Sequence, residues 1–176
     1  VQGRGGMAEE PRPGMSGTFL QLHRGKQGIA LDLKDPEGRE ACLRLAAGAD
    51  VFVHSIRPGP LERLGLGYEA VAGRSPDIVY CNLLGFGRGG RYFNQPAYDD
   101  TVQALSGMAM LQTEYQGEPG YVPSAIADKV AGLSAALAIV AALLQRREDG
   151  RGQQIDVPLF ETVASFLLLE HQSGTV

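Results

Sequence analysis

Cysteine and histidine are scarce in this chain, with two and three residues among 176. Cys42 and Cys81 stand at no metal-ligand spacing and lie in apolar segments, so both are expected as small buried side chains in a reducing compartment. His23 sits beside a basic cluster and His54 in an apolar run, and neither is accompanied by a Gly-x-Ser-x-Gly elbow. Serine-hydrolase chemistry and a metal centre are therefore not expected. Positive charge is also short: the formal net charge is −4, which offers nucleic acid no overall attraction. No apolar leader opens the sequence, whose N-terminus is polar and rich in glycine. Its longest apolar stretch, Val130 to Leu144, is closed by Arg146 and Arg147 at about fifteen residues, short of the roughly 20 that span a bilayer. That stretch is expected to form a helix buried on all sides, in a soluble, cytoplasmic protein with no membrane partner. Internal repeats and coiled-coil heptads are absent as well.

What remains is an ordinary globular composition, 44% hydrophobic and 20% charged, in a length that suits one domain with a real core. Residues 1–17, dense in Gly and Pro, read as a flexible lead-in. Strand-like and helix-like segments then alternate. Gly28–Leu33 reads as a short strand. Asp35 is placed as an N-cap before Pro36, opening a helix that stops near Gly48. Asp50–His54 is a continuous apolar run of the kind buried on both faces of a sheet. Short helices follow near Leu61–Leu64 and Tyr68–Gly73, and Asp77–Leu83 is the next strand. Beyond it, the pattern predicts a flexible turn over Gly85–Gly90, a helix over Asp99–Met108 and a polar loop over Thr113–Gly120. A long helix from about Asp128, a strand at Gln154–Val157 and a last helix from Pro158 complete the reading. Such alternation predicts βαβ units around a mainly parallel sheet, an α/β fold of Rossmann-like kind with flanking helices.

Few residues stand out as chemistry on pattern alone. Gly85-Phe86-Gly87-Arg88-Gly89-Gly90 has neither the Gly-x-Gly-x-x-Gly spacing nor a Walker lysine, and reads as a turn where backbone approaches another element. Lys34, Arg57 and Arg63 follow predicted strands, where cations suit phosphate oxygens, although solvated surface charge explains them equally. Asp128 is the sole acidic residue between Glu118 and Glu148, at the mouth of a very apolar helix. It is either an N-cap or a carboxylate held by the helix N-terminus as a nucleophile or base, and the two roles are compatible.

Read in order, several short motifs resemble the family III CoA-transferases, the group that includes formyl-CoA, carnitine and bile-acid CoA-transferases and alpha-methylacyl-CoA racemase. The carrying segments are Arg24-Gly25-Lys26 with Ile29–Lys34, Ala49-Asp50-Val51, Ile56-Arg57-Pro58-Gly59, and Leu64–Glu69. Gly85-Phe86-Gly87, Ala127-Asp128, Gly150-Arg151-Gly152-Gln153 and Ile155-Asp156-Val157 continue the series. Each is weak alone; their order and spacing together are specific, and the likeness covers about residues 18–170.

The resemblance implies that acyl-CoA and a carboxylic acid are substrates, with no tightly bound cofactor and no metal. It places CoA contacts at Leu31, Asp32, Leu33 and Lys34, at Ser55, Ile56, Arg57 and Arg63, and at Gln95, Pro96, Ala97, Tyr98 and Asp99. Asp128 matches the family's aspartate nucleophile, which forms an acyl anhydride and then an aspartyl-CoA thioester. The racemase branch uses a histidine that falls here at Tyr98, and a phenol of pKa near 10 is a poor exchangeable base at neutral pH. CoA-transferase is therefore the leading reading, with racemase or a non-catalytic CoA-binding piece as alternatives. The family's opening strand with its glutamine-bearing loop, its later Gly-rich loop and its small second domain have no counterpart here. The expectation is thus an internal piece, residues 18–176, of a CoA-binding domain from a two-domain protein that forms interlocked homodimers.

Overall fold

The computed structural model describes residues 16–172. The chain separates into two units, residues 1–31 and residues 32–176. The expected lead-in over residues 1–17 falls, apart from Ser16 and Gly17, outside the described residues. In the first unit, helix α1 (Gly17–Leu22) is opened by the Ser16 hydroxyl, which accepts from the Phe19 N–H at 3.1 Å. The strand predicted at Gly28–Leu33 does not form. Ile29 is 68% exposed, and among the described residues no strand pairs with this stretch. An extended segment without a ladder partner lacks the hydrogen bonds that would offset the cost of ordering it as a strand.

The second unit follows the alternating pattern closely. Asp35 accepts from the Glu37 N–H at 3.1 Å, Pro36 fits the first turn, and α2 (Pro36–Ala47) ends at Gly48. Strand β1 (Val51–His54) is followed by the short helices α3 (Pro58–Arg63) and α4 (Tyr68–Ala72), and then by β2 (Val79–Leu84). Three helices precede the longest one: α5 (Asp99–Leu105), α6 (Met108–Leu111) and α7 (Thr113–Gln116), before α8 (Ile126–Asp149). Strand β3 (Gln153–Pro158) leads into α9 (Leu159–Phe166) and α10 (Leu168–Gln172). All strand pairs are parallel, in the order β1-β2-β3, with His54, Asn82 and Asp156 side by side in register.

Elsewhere the structure departs from the sequence reading. The predicted helix over Asp99–Met108 breaks at Gly107, which has φ +81°; a Cβ there would also lie 2.6 Å from the His171 ring. The predicted polar loop over Thr113–Gly120 contains the single turn of α7. And β1 is an edge strand rather than one buried on both faces, with Val53 53% exposed.

Alternation along β2 divides the core. Ile78 and Tyr80 pack with Leu43, Leu61, Leu66 and Val71 from the α2–α4 side. The Tyr80 phenol donates to the Leu66 carbonyl at 2.7 Å, and burial pushes its pKa up to about 12. Cys81 points the other way, where it meets Val157 and Ala135 of α8. Helix α8 is not buried on all sides as its composition predicts. Ala127, Ala131, Ala135 and Ala142 form its buried face, whereas Leu133, Leu137, Val140 and Leu144 are all more than half exposed. Small side chains at helical spacing bring the helix axis close to the sheet, and the bulkier ones then point away from it. By length and composition α8 is the one helix among the described residues able to cross a membrane; here its alanine face lies against β2 and β3.

Candidate active site

Parallel strands all end at one edge of the sheet, and loops leaving that edge frame a cleft. The turn after β2 supplies Gly85, the loop before α5 supplies Ala97, the residue after β1 is Ser55, and the first turns of α8 supply Asp128 and Gly132. Leu84 and Val157 form its apolar floor, and its volume is about 290 Å³. Glycine is required at the junction: a Cβ on Gly85 would stand 2.7 Å from the Ala97 Cβ. Gly85 is also held by its carbonyl, which accepts from the Phe160 N–H at 3.1 Å, and Gly87 N–H donates to the Glu161 carboxylate at 2.8 Å. The Gly85–Gly90 segment is thus a turn in close contact with neighbouring elements, not a phosphate loop. At Gly132, one turn beyond Asp128, a side chain would meet nothing within 4 Å, so the space beside the carboxylate is open.

Asp128 is not the N-cap. Ala125 holds that position without a side-chain cap, and Asp128 is the third residue of α8. The cap comes from elsewhere in the chain: the Asp128 N–H donates to the Asp99 carboxylate at 3.0 Å. Asp99 Oδ2 in turn accepts from the Gln103 side-chain amide at 2.7 Å. Gln103 is 2% exposed; its Nε2 also faces the carbonyls of Val122 and Ser124 at 3.3 and 3.2 Å, and its Oε1 accepts from the Val122 N–H at 2.8 Å. The Asp128 carboxyl is accessible, yet it stands against an apolar wall. Partial desolvation, and secondly the negative Asp99, raise its pKa above the ordinary carboxylate value. Both carboxylates occupy the positive end of a 24-residue helix, which favours negative charge there.

The other residues predicted as CoA contacts are spread more widely. Ser55, Ala97 and Asp128 meet in the cleft, and Asp99 joins them through its bond to Asp128. Tyr98 is 70% exposed, while Gln95 and Pro96 lie on the surface before it. The Ile56 N–H donates to His54 Nδ1 at 3.2 Å. Leu33 packs on the α2–α4 side of the core, and Asp32 closes a local turn by accepting from the Lys34 N–H. Leu31 belongs to the first unit. Lys34, Arg57 and Arg63 are exposed and make no ion pair among the described residues.

Sequence reasoning missed Gln103, Glu161 and a polar row across the strand ends. In that row Asn82 donates to Asp156 at 2.6 Å, and Arg88 also pairs with Asp156. His54 completes the row; its Nδ1 accepts from backbone, its Nε2 is buried without a partner, and burial lowers its pKa. A signal for Gln103 existed, since it lies four residues after Asp99 between apolar neighbours. Among the described residues no cluster of His, Cys, Asp and Glu has the geometry of a metal site.

Residues 3–174 match the profile of CoA-transferase family III. The chain belongs to that family. It is 39% identical over 153 residues to a protein named acyl-CoA transferase from Fusarium pseudograminearum, covering 87% of this chain and 34% of that one. It is 38% identical over 149 residues to the succinyl-CoA:glutarate CoA-transferase of Mus musculus, covering 85% of this chain and 34% of the relative. A crystal structure of a CAIB/BAIF family protein from Brucella suis superposes with a TM-score of 0.81 at 35% identity, covering 86% of this chain and 41% of that one. The chain therefore spans about a third of the length of the curated relatives it matches. The α/β architecture expected from strand–helix alternation is the architecture found in family III.

Proposed function

We propose that the protein transfers CoA between carboxylic acids, with Asp128 as the covalent nucleophile. The observation that carries this reading is an accessible carboxylate on the first turn of a long helix, in a cleft at the carboxyl edge of a parallel sheet. Here an Asp128 oxygen would attack the thioester carbonyl carbon of acyl-CoA; the C–S bond breaks and the thiolate leaves, giving a mixed anhydride. The thiolate then attacks the aspartyl carbonyl carbon, releasing the donor carboxylate and leaving an aspartyl-CoA thioester. An acceptor carboxylate attacks that thioester and expels the thiolate, which finally takes the acceptor acyl group and frees Asp128. Each step exchanges one carboxylate or thiolate for another, so no external acid or base is consumed.

CoA is a substrate in this scheme, and no resident cofactor is invoked. Lys34, Arg57 and Arg63, uncommitted to any carboxylate among the described residues, suit its phosphates. Asp32–Lys34, Ser55–Arg57 and Gln95–Tyr98 are proposed to lie along the nucleotide and pantetheine. The name of the mouse relative makes succinyl-CoA and glutarate the first pair to try. We also propose a homodimer, supported by the exposed row Leu133, Leu137, Val140 and Leu144 on α8. A cytoplasmic location suits the free thiols of Cys42 and Cys81.

The decisive experiment incubates the protein with succinyl-CoA and traps it with hydroxylamine before mass spectrometry. A modification confined to Asp128, lost in Asp128→Ala together with at least about a thousandfold of turnover, is the expected result. Full turnover in Asp128→Ala would remove the aspartate from the mechanism. Deuterium wash-in at the α-carbon without an acceptor acid would mark racemase chemistry instead.

A further inference from the structure

The residues that hold Asp128 in place lie on a different helix from Asp128 itself. Helix α8 has no side-chain cap of its own, so its third N–H depends on Asp99, at the start of α5. Asp99 is in turn held at 2.7 Å by Gln103, one turn further along α5. Gln103 is a buried amide fastened at both ends. Its oxygen takes the Val122 N–H, and its nitrogen faces the carbonyls of Val122 and Ser124 as well as the Asp99 carboxylate. These contacts fix which way the amide points: the donor must face Asp99, and rotating it would set its nitrogen against the Val122 N–H. A buried polar side chain with this many specific bonds has few alternative positions.

We propose that Gln103 and Asp99 act as a positioning relay, in which Gln103 orients the Asp99 carboxylate and Asp99 holds the backbone of Asp128 so that its carboxylate faces the cleft. This rests on the proposed role of Asp128. The arrangement gives Asp99 a task directed at the helix rather than at CoA. Both Asp99 oxygens are engaged, Oδ1 by the Asp128 N–H and Oδ2 by Gln103. Its charge has a second effect, since Asp99 is the negative group that adds to desolvation in raising the Asp128 pKa. Other ionisable groups near the cleft are engaged elsewhere. Asp100 accepts from the Thr101 N–H, Lys129 donates to the Ser124 hydroxyl, and Glu161 accepts from the Gly87 N–H. A small displacement of a reacting group costs rate rather than affinity, because binding energy is gathered remotely from the reacting centre.

The test measures the pH dependence of kcat and KM with succinyl-CoA and glutarate for Asp99→Asn and Gln103→Met, beside Asp128→Ala. Asp99→Asn is expected to lower kcat roughly 10- to 100-fold with KM for succinyl-CoA changed less than about threefold. Its acidic limb should also move to lower pH, because the neighbouring negative charge is gone. Gln103→Met should lower kcat in the same way at constant KM. A raised KM at unchanged kcat in Asp99→Asn would make Asp99 a CoA ligand and overturn the relay, as would an unmoved acidic limb. Should Gln103→Met fail to fold, Asp99→Asn alone decides, since it keeps the shape of the side chain. Full activity in Asp128→Ala is a separate failure: it removes the nucleophile assignment itself, and the relay with it.

Discussion

At the scale of single residues, Asp128, the proposed nucleophile, is placed where its charged form and the stability of the fold oppose each other. Its folded pKa lies above the ordinary carboxylate value, because of desolvation first and Asp99 second. The folded state therefore binds this proton more tightly than the unfolded chain does. The stability this contributes is fully present below the unfolded value and is lost as pH rises through the raised folded one. Asp128→Asn should thus melt at a higher temperature than the wild type at neutral pH, with the difference shrinking towards pH 3. Thermal unfolding of both proteins across that range checks it; equal melting temperatures at pH 7 would show that the carboxylate is not under strain. Asp128 itself was legible in the sequence as a lone acid before an apolar run. Its dependence on Asp99 was not, since that contact spans 29 positions and pattern reading is local.

At the scale of elements, the edge strand β1 carries a titrating group into a packed layer. The His54 ring lies against Tyr80, with centroids 5.3 Å apart, and burial lowers its pKa below 6.5. A histidine with a depressed folded pKa contributes stability above the unfolded value, and that stability is lost as pH falls through the folded one. The wild type should consequently lose more melting temperature between pH 7 and pH 5 than His54→Leu does. Parallel losses would place the acid sensitivity elsewhere. Helix α8 teaches a related lesson about composition. Its apolar content predicted complete burial, but the alanine row determines the contact face, and the leucines at the other positions turn outward. Composition reports how much of a helix is apolar; only a packing partner decides which side is covered.

For the whole molecule, an outward row of Leu133, Leu137, Val140 and Leu144 is more apolar surface than a solitary helix face usually presents. The proposed homodimer predicts that the melting temperature rises with protein concentration, because association stabilises the folded state by mass action. A solution mass of one copy, with a melting temperature independent of concentration, would refute it. The parts of this molecule that the sequence alone determined are those governed by local rules. Asp35 and Pro36 start α2, Gly150 at φ +72° ends α8, and the apolar runs at Val51–His54 and Val79–Leu84 make parallel strands. Tertiary structure alone decided that Gly28–Leu33 pairs with no strand among the described residues, that Gly85 must admit Ala97, and that Gln103 and Asp99 together hold the first turn of α8. The reason is physical: caps, turns and periodicity act over a few residues, whereas a cleft exists only where distant segments are brought within hydrogen-bonding distance.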